Sequence, residues 1–301
     1  MAEAEAPHTY GGPLGLALTG RRIGSLPRAD ALPSGLTVSG LALVTLAVFA
    51  AAELLTTYGS PVAGIALHAV ILTGLIAAAG LASEPAPGEQ PSHLARLLYS
   101  LTLVPLIRIL SLSMPLARFD PALWYLMAGL PVFLGALVIM GSLGLRPAAV
   151  GLRLDWSPLQ PAVVCLGFVL GFLEYQILRP EPLIGELTPA RFVLPALILL
   201  IATGFLEEFL FRGILQSSAT RVLAGFAIPY VSMVFAILHI GYRSALDVAF
   251  VLVIALIYGW VVRRTGSIMG VSMSHGVTNI MLFLVVPFVP ALARPDWLSL
   301  F

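Results

Sequence analysis

Three groups of residues could do chemistry in this chain. Gly204-Phe-Leu-Glu-Glu-Phe-Leu-Phe-Arg-Gly213 carries Glu207, Glu208 and Arg212, Phe235-Ala-Ile-Leu-His239 carries a histidine, and Ser274-His-Gly-Val-Thr-Asn279 carries His275 and Asn279. Each group sits in apolar sequence, where an ionisable side chain costs several kcal/mol unless it is paired or wet. Helical spacing sorts their roles. Glu208 and Arg212 are four apart with the acid first, so they share a face and neutralise each other; they read equally as a structural pair or as help to the chemistry. Glu207 is turned about 100° around the helix from Glu208 and lacks that partner. His275 and Asn279, also four apart, aim at one spot, and Ser272 falls on the same face.

A carboxylate beside imidazoles in a dehydrated cavity can take a proton from water. The same carboxylate and two imidazoles, Glu207, His239 and His275, are also a possible ligand set for one divalent metal such as Zn²⁺, with a place left for water. An amide and an imidazole N–H on one face can donate to a developing oxyanion. The reaction class that uses both halves is hydrolysis of an amide bond.

The elements that must position these groups follow from composition. Apolar residues make up 59% of 301 and charged residues 10%, with a mean hydropathy of +0.99. A soluble domain carries about 25% charged residues, so the chain reads as an all-α polytopic membrane protein. The apolar runs are continuous rather than alternating, which selects helices over a barrel. Nine segments are long enough, near 36–56, 61–82, 95–113, 121–144, 160–178, 193–219, 225–241, 245–262 and 266–288. The expected organisation is a cytoplasmic N-terminal tail over 1–35 and an N-terminal transmembrane region of about five helices over 36–182. A catalytic core of about four helices over 183–290 and an interfacial C-terminal tail over 291–301 complete it. The N-terminus places acid before its Arg21-Arg22 pair, the reverse of a signal peptide.

Measured from the expected inner helix ends, Glu207 lies about 18 Å up, His239 about 21 Å, His275 about 14 Å and Asn279 about 20 Å. Three helices therefore bring these groups to one level. Arginines are divided nine to five between alternate sides, with Arg108 and Arg212 inside spans. That bias predicts the N-terminus in the cytoplasm and the C-terminus outside, in a cell membrane. Net charge of +1 and the lack of a basic run exclude a nucleic-acid partner, and a lone Cys165 excludes a disulfide framework.

Other designs fit less well. There is no His-Glu-x-x-His motif, and Asp247 has no second aspartate in the last four spans. A Ser272–His275 dyad has suitable spacing only. Glu174 reads as an interfacial charge near Arg179, Glu53 and His68 as isolated interfacial or packed residues, and Arg108 after Pro105 as facing a cavity with no evident partner.

Glu-Glu-x-x-x-Arg at 207–212, Phe-x-x-x-His at 235–239 and His-x-x-x-Asn at 275–279, in that order, resemble the three motifs of the CPBP (Abi) intramembrane proteases, which include the type II CAAX prenyl endopeptidases. The resemblance covers roughly 190–290. It implies a helical endopeptidase acting on membrane-associated peptides or protein tails, in which Glu207 activates water with help from His239. His275 and Asn279 would hold the oxyanion, and Arg212 would anchor Glu208. It leaves the metal question open. Two other readings use the same residues: a transporter or proton pathway lined by them, and a non-catalytic immunity or scaffold protein of the same fold.

Overall fold

The computed structural model describes residues 35–83, 91–114 and 118–293, with side chains described from residue 39 and not at 291. The chain divides into units of 1–30 and 31–301, and everything below concerns the second. The expected N-terminal tail, with its three arginines, and most of the expected C-terminal tail lie outside the described residues.

Every regular element among the described residues is helical. Eight helical segments are long and apolar enough to cross a bilayer, so the chain is a polytopic membrane protein. They begin with α1 (Gly35–Tyr58) and α2 (Pro61–Leu81). The third is split into α3 (His93–Leu101) and α4 (Leu103–Ser113). Pro105 explains the split, since its ring cannot donate to the preceding turn. Next come α5 (Pro121–Ser142) and α6 (Leu159–Leu178).

The next apolar segment, Pro189–Tyr242, is 54 residues long, about twice what a bilayer requires. It doubles back where Ala224 takes φ 49°. Phe211 and Phe235, each twelve residues from Leu223, meet with ring centroids 4.9 Å apart. The sixth and seventh expected spans are thus the two arms of one hairpin. The first arm comprises α7 (Pro189–Ile198), α8 (Leu206–Glu208) and α9 (Gln216–Leu223), with π-helical turns over Leu199–Phe205 and Phe209–Leu215. The second arm is α10 (Ala227–Ile237), ending in a 3₁₀ turn over Leu238–Tyr242. Then follow α11 (Ala245–Thr265), α12 (Met269–Ile280) and a short α13 (Pro290–Ala293).

Small residues let α12 sit deep in the bundle. A Cβ on Gly204 would lie 2.5 Å from the backbone nitrogen of Gly276, and one on Gly167 would lie 2.5 Å from the carbonyl oxygen of Ser274. Backbones approach this closely only where side chains are absent, the usual way helices associate in lipid. The start of α12 is pinned as well. Gln160 Oε1 accepts from the Gly270 N–H at 2.7 Å and Ser267 Oγ from the Met269 N–H at 3.2 Å, filling two of the helix's open N-terminal donors. On the other side, Phe133 of α5 packs 6.3 Å from Phe205 and 5.9 Å from Phe209. The hairpin arm that bears Glu207 is thereby held between α5 and α12.

Candidate active site

The two π-helical turns on either side of Leu206–Glu208 interrupt the α-helical register where the two acids stand. Such insertions are frequent at functional positions, where they re-aim side chains at a cost in regular hydrogen bonding. The acids are separated as their spacing predicts. Glu208 is wholly buried, whereas a third of the Glu207 side chain (33%) is exposed. Glu208 Oε1 accepts from Arg212 Nη1 at 3.0 Å and from His275 Nδ1 at 2.9 Å. The Arg212 guanidinium lies 4.5 Å from the centroid of the Phe235 ring, whose π face favours the cation. Glu208 therefore links its own helix to α12 and fixes which nitrogen of His275 bears the proton.

That bond leaves Nε2 of His275 pointing toward the other acid, 3.8 Å from Glu207 Oε2. His239 is set by a different device. Its Nδ1 lies 3.1 Å from the Phe235 carbonyl oxygen; a carbonyl only accepts, so Nδ1 carries the hydrogen and Nε2 keeps its lone pair. Its ring packs against Phe235 at 4.9 Å and Tyr242 at 5.8 Å. The turn bearing it ends at Arg243, which has φ 58° and donates through Nη2 to the Thr57 carbonyl at 2.7 Å. The end of α1 thus braces the His239 turn, a role for the first helix that no motif signalled.

Asn279 Nδ2 donates to Thr203 Oγ1 at 2.9 Å, and that hydroxyl donates onward to the Leu199 carbonyl. The carboxamide is therefore oriented by the hairpin arm rather than by α12 alone. Ser272 shares the helix face but not the site: its hydroxyl is buried without a partner and makes no bond to His275.

These side chains converge. One cavity of about 70 Å³ is lined by Glu207, Glu208, His239, His275, Asn279 and Thr203 among others, room for a few water molecules. A second, more apolar groove of about 300 Å³ runs between α4, α5 and the hairpin arm, lined by Ile107, Arg108, Trp124, Val132 and Leu206. Tyr125, Thr203 and Glu207 line both. The Glu207 carboxylate stands at the junction of a small polar chamber and a long apolar one.

Several readings change with the structure. Glu53 and His68 are not isolated. Both are fully buried, with His68 Nε2 3.2 Å from Glu53 Oε1, and Arg108 closes on the same carboxylate through Nε and Nη2, each at 2.7 Å. The three come from α1, α2 and α4, so no sequence spacing could have joined them. Arg108 does face a cavity, the apolar groove, and Glu53 is its partner. Glu174 is not an interfacial charge; it is 7% exposed and lines the cavity that holds Glu207. The only signal was its place in an apolar helix. As for a metal, no group of three or more His, Cys, Asp or Glu side chains among the described residues is placed to hold one, the trio Glu207, His239 and His275 included. Glu208 and the Phe235 carbonyl hold only the Nδ1 atoms of the two rings and leave both Nε2 atoms facing the chamber.

Residues 189–281 match the family model described as type II CAAX prenyl endopeptidase Rce1-like. The matched span contains all three motifs, and with them Glu207, Glu208, Arg212, His239, His275 and Asn279. No curated protein and no solved structure matches the chain. The match supports membership of the CPBP family and a CAAX protease-type hydrolase.

Proposed function

We propose that this chain, a CPBP-family membrane protein by its residues 189–281, is an intramembrane endopeptidase that hydrolyses a peptide bond in membrane-associated peptides or protein tails. The observation that carries the reading is the convergence of Glu207, His239, His275 and Asn279, delivered by the two arms of the hairpin and by α12, on one chamber large enough for water.

The proposed chemistry uses the two chambers differently. Water occupies the small polar one, where Glu207 takes its proton and the His239 Nε2 lone pair orients it. The peptide lies along the apolar groove and brings its carbonyl to the junction. As hydroxide adds, negative charge develops on that carbonyl oxygen. The Asn279 amide and the Nε2–H of His275 in its imidazolium form donate to it. Glu207 then hands its proton to the departing amine, which breaks the C–N bond and restores the carboxylate. Glu208 with Arg212 keeps His275 turned toward the reacting atoms. Every proton is accounted for by these side chains, and no step passes through a metal.

The test compares membranes holding wild type with membranes holding Glu207→Gln and Glu207→Ala, profiling new peptide termini by mass spectrometry. General acid–base catalysis contributes about 10²–10⁴-fold, so termini that depend on the wild type should fall by at least about 10²-fold in both variants. Equal cleavage by all three proteins would remove Glu207 from the chemistry. Proton flux in liposomes that depends on Glu207, without any cleavage, would reassign the site to transport.

A further inference from the structure

Glu174 is a buried acid that the proposed chemistry does not use. It stands in α6, four residues before the helix ends at Leu178. The partial negative charge of a helix C-terminus disfavours an anion there. It is 93% removed from solvent in its relative exposure of 7%, and no hydrogen bond or ion pair from another described residue reaches its carboxyl group. Its side chain lines the chamber that holds Glu207. Neither helix geometry nor pairing accounts for a carboxylate at this place.

The surroundings add to the imbalance. Asp247, Val251 and Ile254 occupy one face of α11 by their i, i+4, i+7 spacing, and Val251 and Ile254 line the chamber. Asp247, at the near end of that face, is fully buried and neither of its carboxylate oxygens has a partner. Its place in the first turn of α11 gives it favourable helix-dipole contact, an advantage Glu174 lacks. Asp247, His275 and Glu207 all lie within electrostatic reach of Glu174, His275 alone of them with a favourable sign. On the cationic side, Arg212 is taken by Glu208, and His275 stands between Glu207 and Glu208. Arg108 belongs to the other groove and is closed on Glu53. The wall formed by α6 and α11 is therefore short of positive charge.

We infer that Glu174, backed by Asp247, is a subsite for a positively charged group on the substrate, a Lys or Arg side chain or a free amine close to the scissile bond. Resting on the endopeptidase reading above, this names the feature by which the enzyme selects its peptide. A cation brought in by the substrate supplies the partner Glu174 lacks, in a site where the low dielectric strengthens the attraction. The apolar stem of such a side chain lies against Val251, Ile254 and Phe283, which line the same space, while its charged head meets the carboxylate.

The experiment uses the full-length protein in liposomes and a defined peptide library with cleavage sites read by mass spectrometry. It is followed by steady-state kinetics on two cleaved peptides that differ only by lysine or norleucine at the enriched position. Wild type should prefer the lysine peptide by at least about tenfold in kcat/KM. In Glu174→Gln that ratio should collapse toward one, chiefly through KM, and in Glu174→Arg the library should show acidic residues at the position instead. Absence of basic enrichment in wild type, or a preference that survives Glu174→Gln, overturns the inference. So does an equal loss on both peptides through kcat, which would assign Glu174 to proton transfer. If wild type cleaves no peptide, the endopeptidase reading fails by itself, and the subsite is read from binding of the same two peptides, fluorescently labelled. Tighter binding of the lysine peptide that disappears in Glu174→Gln keeps the inference, and equal binding ends it.

Discussion

Glu208 Oε1 lies 2.9 Å from Nδ1 of His275, so a wholly buried acid on the hairpin arm dictates the proton position of an imidazole on α12. The same oxygen accepts from Arg212 at 3.0 Å. One atom thereby joins charge neutralisation within a helix to ring orientation between helices. The other acid of the pair, Glu207, is left free to face water.

This arrangement separates the two adjacent acids by experiment. Glu208→Gln keeps the shape but weakens the hold on His275, and is expected to lower kcat about 10–100-fold with little change in KM. Glu208→Ala leaves the Arg212 guanidinium buried and uncompensated, which costs about 3–5 kcal/mol. Thermal unfolding in detergent should therefore shift far more for Glu208→Ala than for Glu207→Ala, and adding Arg212→Leu to Glu208→Ala should recover part of the loss. Equal unfolding midpoints for the two alanine variants would contradict the assignment.

The Asn279 carboxamide depends on Thr203 for its orientation. Asn279→Ala is expected to reduce kcat about 10²–10³-fold, the range seen when one oxyanion donor is removed. Thr203→Val, which preserves size and deletes the acceptor, should produce a smaller loss in the same direction, and the double variant should be little worse than Asn279→Ala. Additive losses in the double variant would mean that Thr203 acts independently of the amide.

The Glu53–His68–Arg108 cluster ties α1, α2 and α4 together beside the apolar groove. Glu53→Ala leaves Arg108 without its counter-charge and should destabilise the protein by about 3–5 kcal/mol. Replacing Glu53 and Arg108 together by Leu and Met should be much milder, since an apolar pair of similar volume often substitutes for a buried ion pair without loss. Folding yield and unfolding midpoint in detergent measure both, and a double variant worse than the single would overturn this account.

Activity is expected to persist after dialysis against a strong chelator, with less than stoichiometric metal by elemental analysis. The donors of Glu207, His239 and His275 are not arranged as a ligand set among the described residues. Loss of activity that zinc restores at one equivalent would show that the side chains rearrange around an ion.

Much of the site was legible in the order and spacing of residues. Glu207 and Glu208 diverge because neighbouring positions on a helix are about 100° apart. His275 and Asn279 converge because positions four apart share a face. The expected apolar segments also correspond closely to helices, since continuous apolar sequence in lipid leaves the backbone no other way to satisfy its hydrogen bonds. What could not be read is of a different kind. The joining of Glu53 to Arg108, the bracing of the His239 turn by Thr57, and the π-helical turns around Leu206–Glu208 are set by how helices distant in sequence pack together.

The sequence by itself determined that this is a bundle of membrane helices and which polar side chains had to find partners or water inside it, because hydrophobic content and helical periodicity are local properties. Only the tertiary structure decided which partner each one found. Glu53 and Glu174 are both single acids in apolar helices, and nothing local distinguishes them. Packing brought an arginine and a histidine to Glu53 and brought Glu174 to a chamber wall where no described residue pairs with its carboxyl group, because the neighbours of a buried side chain are set by how whole helices pack.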